Sequence, residues 1–156
     1  MARDAHLELD ADGNPYAVPD SSRAKALFEG LQRAINTRAS SATDPFTPLD
    51  VDGRLGQATV RALLWALTGI IRDQTAARRL CGFGRTCLSR ASEGYNEISR
   101  RDPEAQVTWI VSEVKFLTTT LVEYTGRGQK NHARTIIFLS AIVLVGAVAT
   151  WHYRRR

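Results

Sequence analysis

The chain has 156 residues, 24% of them charged, with a net charge of +5 and two cysteines. That length holds one ordinary domain and excludes a large multidomain machine. All 16 acids and 18 of the 21 bases lie at or before Arg134, a net of +2. So the concentrated basic face of a nucleic-acid binder is missing, and no nucleic acid is expected as a partner.

The N-terminus contains no apolar run of the kind a cleavable signal peptide needs, so none is expected. Residues 1–19 read as an arm or short hairpin, alternating weakly about Asp10-Ala-Asp-Gly-Asn14. Asp10 and Asp12 resemble the start of a calcium loop. However, Pro15 stands where that loop needs glycine and Ser21 where it needs a bidentate glutamate, so a plain turn is expected.

A helix is signalled from Asp20, with Asp20, Ser21 or Ser22 as cap and Ala24, Leu27, Phe28, Leu31, Ala34 and Ile35 on one face. Residues 40–48, rich in Ser, Thr and Pro, form a loop by composition. A second helix starts near Gln57, with an apolar stripe of Val60, Leu63, Leu64, Leu67 and Ile71.

Between and within these helices run Leu31-Gln-Arg-Ala-Ile-Asn36 and Val51-Asp-Gly-Arg-Leu-Gly-Gln-Ala-Thr59. Gly53 and Gly56 permit the positive φ of a compact turn. Asp52 can accept loop amides, Thr59 lies in the first turn of the next helix, and Leu55 is placed to plug a core. This arrangement resembles the peptidoglycan-binding domain of phage endolysins and bacterial wall hydrolases over residues 23–70. Gln57 replaces the proline usual in that family. The resemblance implies a three-helix module, spanning 20–80 here, that holds wall peptide or glycan in a shallow groove. Carried over residue by residue, the candidate ligand contacts are Asp52, Gly53, Arg54, Gly56, Gln57, Thr59 and Arg61, of which Arg54, Gln57 and Arg61 are the exposed polar groups.

Residues 81–101 read as a connecting loop and a weak helix interrupted at Gly94. Cys81 and Cys87 bracket Gly-Phe-Gly-Arg-Thr. The two glycines allow a disulfide in an oxidising compartment, and two free thiols fit equally. Without a nearby histidine the pair does not make a zinc site, and no metal is expected. Eight arginines against three acids between Arg61 and Arg101 form a mildly basic zone, suited to solvent or to anionic headgroups.

Asp102-Pro103 opens a further helix, and residues 102–129 read as a juxtamembrane amphipathic helix and a glycine hinge. Val107, Ile110, Val114, Leu117 and Leu121 keep four-three spacing. That stripe packs within the chain or forms a coiled-coil seam with a second copy or a protein partner.

Residues 130–156 read as an anchor. Thr135 to Trp151, centred near Leu144, carries no charge and is apolar on every side. As a helix its seventeen residues would extend about 25 Å, close to the thickness of a hydrocarbon core. Lys130, Arg134 and three terminal arginines flank it, with Trp151 and Tyr153 at the edge. The basic flanks nearly balance, so the positive-inside rule gives no orientation.

The fold class expected is therefore all-α: a three-helix peptidoglycan-binding-like bundle, additional helices and one C-terminal transmembrane helix. The three histidines lie far from any nucleophile, so a non-enzyme without cofactors is expected. The leading functional expectation is a single-pass membrane protein, of phage or prophage origin, that grips peptidoglycan and a lipid bilayer. It would sit in a bacterial inner membrane or a virion membrane with its polar domain toward the wall. The alternatives are a tail-anchored scaffold that binds a protein partner and a holin-like lysis accessory protein.

Overall fold

The computed structural model describes residues 5–40, 42 and 46–126. Met1–Thr125 forms one compact unit and Gly126–Arg156 a second. The expected anchor, with Thr135, Leu144 and Trp151, lies outside the described residues.

The N-terminus is a hairpin of β1 (Ala5–Leu9) and β2 (Pro15–Pro19), antiparallel, with Leu9 opposite Pro15. Its turn is held by Asp10, whose Oδ1 accepts the amides of Asp12 at 3.0 Å and Asn14 at 2.8 Å. Gly13 supplies the positive φ of 79°. The Asp10 carboxylate is thus engaged by backbone donors.

Helix α1 (Ser22–Ser40) is capped by Ser21, whose hydroxyl accepts the Ala24 amide at 3.1 Å. Helix α2 (Gln57–Arg72) follows, then the single turn α3 (Gln74–Ala77). A second hairpin pairs β3 (Leu80–Cys81) with β4 (Arg85–Thr86) and leads into α4 (Cys87–Ser99). Helix α5 covers 103–126 of the described residues. Asp102 caps it by accepting the Ala105 amide at 2.8 Å, and Pro103 fills the first turn, where a missing N–H costs nothing.

Both α1 and α4 pack against α2. One core joins them with α5: Phe28, Leu31 and Ile35 from α1, Leu63, Leu67 and Ile70 from α2, Ile98 from α4, and Ile110 and Leu117 from α5 are all buried. The three-helix module is therefore not a separate body, because α4 and α5 complete its core.

The expected fold class needs correction on two counts. The unit is not all-α, since two antiparallel hairpins accompany its five helices. No helix among the described residues is long and apolar enough to cross a membrane. The N-terminal hairpin agrees with the short hairpin expected over residues 1–19, whereas the second leaves no sequence signal, because β3 and β4 are two residues each, too short to show alternation.

Two local expectations also change. Helix α4 runs unbroken through Gly94, which is a packing position. A Cβ there would meet Leu117 Cδ2 at 3.2 Å and Leu67 Cδ1 at 3.3 Å, so glycine lets three helices approach. The seam of Val107, Ile110, Val114, Leu117 and Leu121 is covered inside the chain, each 5% exposed or less. It offers no apolar face to a second copy or a protein partner.

Candidate functional site

The expected ligand turn is a clamped loop, and its clamp comes from α1. Gln32 is only 2% exposed. Its Oε1 accepts the Gly53 amide at 2.9 Å, while its Nε2 donates to Asp52 Oδ1 and to the Arg54 carbonyl, both at 2.9 Å. One helical turn on, Asn36 brackets Leu49: its Nδ2 donates to the Leu49 carbonyl and its Oδ1 accepts the Leu49 amide, each at 2.8 Å. Asp52 closes the turn on itself by accepting the Arg54 amide at 2.8 Å. Two side-chain amides at i and i+4 therefore take up backbone groups that the loop could not pair internally.

The N-terminal hairpin is stitched onto this loop. Ala17 and Leu55 exchange backbone hydrogen bonds of 2.9 and 3.2 Å, and Leu55 is 1% exposed. Arg54 lies over the Tyr16 ring at 5.8 Å. The Tyr16 hydroxyl donates to Glu8, which draws the Glu8 carboxyl below its usual range and raises the Tyr16 phenol. His6 bridges the hairpin to the start of α1, with Nδ1 2.6 Å from Asp20 and Nε2 3.2 Å from Glu8. Those two bonds, Asp20 first, hold its imidazole above the ordinary 6.5.

Of the seven expected ligand contacts, Asp52, Arg54 and Arg61 are exposed. Gly53 and Thr59 are buried. Gly56 lies against Tyr16, where an added Cβ would stand 3.2 Å from the tyrosine's own. The Gln57 side chain donates to the Pro103 carbonyl at 3.3 Å, tying the start of α2 to the start of α5. Gly53, Gly56, Gln57 and Thr59 therefore build the turn, whereas Asp52, Arg54 and Arg61 lie exposed on it, Asp52 with one carboxylate oxygen already bound within the turn. Gln32 and Asn36 escaped the candidate set. Their signal was present, as amides four residues apart on an otherwise apolar stripe.

Beside the Gln57–Pro103 contact, an open cleft of about 610 Å³ runs along the first turns of α5. Trp109 lines it, with Arg101 5.8 Å from the indole and Asp102, Glu104, Thr108 and Ser112 around it. The Trp109 indole is partly packed against the core and has the Arg101 guanidinium over its ring, so the cleft presents an aromatic edge among hydroxyls and carboxylates.

A second surface lies at the Cys81–Cys87 hairpin. The two cysteines are bonded, with Cα atoms 5.2 Å apart. Arg90, 4% exposed, supports the loop from beneath: it donates to the Cys81 carbonyl at 3.3 Å and to the Phe116 carbonyl at 3.4 Å, and pairs with Glu123 at 3.6 Å. A cavity of about 390 Å³ opens beside it.

Among the described residues, no group of three or more His, Cys, Asp or Glu side chains could hold a metal ion. No family model matches the chain, and neither does any curated protein or solved structure.

Proposed function

We propose that this chain is a membrane-attached, non-catalytic protein that binds peptidoglycan, with the clamped turn and the neighbouring Trp109 cleft as its wall-facing surface. The observation that carries the reading is the clamp itself. Gln32 and Asn36 together hold Leu49, Asp52, Gly53 and Arg54, the loop at the centre of the pattern that resembles wall-binding modules, and this supports the reading. Its exposed charges, Asp52, Arg54 and Arg61, suit the carboxylates and amides of wall peptides. The shallow cleft suits a polymer that must slide in from the side.

Support for an oxidising compartment, where the wall lies, comes from the Cys81–Cys87 bond. Support for membrane attachment comes from the uncharged sequence Thr135 to Trp151. Two weak attachments on one chain would reinforce each other, since the second operates at high effective concentration. The scaffold alternative loses its expected seam, because the α5 stripe is already covered.

The test is co-sedimentation of the full detergent-solubilised chain with purified murein sacculi. Retention is expected, falling about tenfold in an Arg54→Ala, Arg61→Ala double variant, as loss of two solvent-exposed charge contacts would give. A wild-type chain that stays in the supernatant ends the wall-binding reading.

A further inference from the structure

Phe83 is 100% exposed at the tip of the disulfide-closed loop, and Leu80 at its foot is 58% exposed. Gly82, Phe83 and Gly84 all adopt positive φ, at 38°, 48° and 72°. For a phenylalanine that conformation is strained, and it persists only because the disulfide and the Arg90 bond to the Cys81 carbonyl over-determine the loop. The fold therefore holds a large apolar side chain in water on a rigid mount.

The surroundings are basic. Of the residues lining the adjoining cavity, Arg85, Arg90 and Lys115 are cationic and none is acidic. Glu93 pairs with Arg85 at 2.9 Å and Glu123 with Arg90 at 3.6 Å. Among the described residues Lys115 makes no ion pair. The loop also abuts the end of the unit. A Cβ on Gly82 would stand 3.3 Å from the Glu123 carboxylate, two residues before Thr125, where the unit ends. Ten residues further on, at Thr135, the uncharged apolar sequence begins.

We propose that the Cys81–Cys87 loop is a bilayer contact: Phe83 enters the interface of an anionic membrane, and lipid phosphates sit against Lys115 and Arg85 at the mouth of the cavity. An aromatic ring with flanking cations is suited to that boundary, where the ring leaves water and the cations stay with the headgroups. This rests on the membrane attachment proposed above. It adds a second point of contact that orients the domain on the lipid surface.

The experiment uses the full chain in vesicles of phosphatidylcholine alone or mixed with phosphatidylglycerol, reading flotation and the amide exchange of residues 80–87. The chain is expected to float with both. Exchange in the loop should slow about tenfold in the anionic vesicles only, and the protection should vanish in Phe83→Ser and weaken in Lys115→Gln. Phe83 is fully exposed, so its replacement leaves the fold intact. Flotation with no loop protection overturns the loop contact alone, whereas a chain that floats with neither vesicle removes the attachment as well. Protection that grows with protein concentration instead of anionic lipid assigns the loop to a contact between copies and also overturns the proposal.

Discussion

Gln32 and Gly53 are joined across twenty-one residues by a buried hydrogen bond of 2.9 Å, from the Gly53 amide to the Gln32 side-chain oxygen. That bond and the two made by the Gln32 amide nitrogen bind the loop to α1. Gln32→Ala would strand a buried N–H and unpair a carbonyl. The expected loss is about 2–3 kcal/mol in chemical denaturation of the full chain. Gln32→Glu keeps the acceptor but sets a carboxylate against Asp52 and should also destabilise. A change below about 0.5 kcal/mol in Gln32→Ala would show the clamp to be incidental.

The two glycines of the turn should respond differently. Gly53 has φ of 75°, and an added Cβ would lie 2.9 Å from Lys25 Cγ, so Gly53→Ala should cost about 1–2 kcal/mol. Gly56 has an ordinary φ of −115° and meets Tyr16 Cβ at 3.2 Å. Gly56→Ala should cost less, about 1 kcal/mol or under, because the hairpin can yield slightly. Reversal of that order in paired melting curves would contradict the turn geometry.

Reduction should loosen the molecule locally. The Cys81–Cys87 bond closes a loop with a sequence separation of six. Chain entropy gives such a short loop about 2 kcal/mol of stabilisation. A Cys81→Ser, Cys87→Ser variant is expected to lose about that much, with faster amide exchange concentrated in residues 80–87. Unchanged exchange there would mean that Arg90 alone suffices to hold the loop.

His6 supplies a pH-dependent contact. Its imidazole is held above 6.5 by the bond to Asp20 and then by that to Glu8. A raised folded value means that this contribution is complete below 6.5 and fades as the pH climbs past the folded value. The effect on global stability should be small, since the group is exposed to solvent. Proton NMR should place the His6 midpoint above 6.5, returning toward it in Asp20→Asn. A wild-type midpoint at or below 6.5 would rule the bridge out.

Tyr124 offers an independent check on α5. Its hydroxyl donates to Asp73 Oδ2 at 2.7 Å, and partial burial with that bond pushes its ionisation up to about 12. The sign is again that of a raised group: the contribution holds below 10 and is lost only as the pH approaches 12. Ultraviolet titration should show Tyr124 ionising late, as Tyr16 also does through its bond to Glu8, and Asp73→Asn should move the Tyr124 step alone to lower pH.

Much of the unit was legible because helix periodicity and end signals are local physics. Ser21 and Asp102 cap α1 and α5, as residues of their type should. The apolar stripes of α1 and α2 mark buried faces. What escaped depended on partners distant in sequence. A glycine in mid-helix carries the same signal whether it breaks the helix or admits a neighbour, so Gly94 was misread. Four-three spacing looks alike for an inward face and an oligomer seam, so the α5 stripe left its partner undecided. In the turn, spacing identified the loop but not its task. Gly53, Gly56 and Thr59 are architecture, and the side chains that clamp the loop, Gln32 and Asn36, lie in the preceding helix, 21 residues before Gly53 and 13 before Leu49. Arg90, a buried cation beneath the disulfide loop, left no trace in any local pattern.

The bond from Tyr124 to Asp73 also sets how the unit would respond to tension. A pull drawn through the backbone from beyond Thr125 arrives first at the last turn of α5, where that phenol is fastened to the start of α3. Leu121 and Leu117 come next, each seated in the core. Mechanical yielding would therefore begin at this end and peel α5 turn by turn, leaving the loop that Gln32 grips slack until the helix has come away.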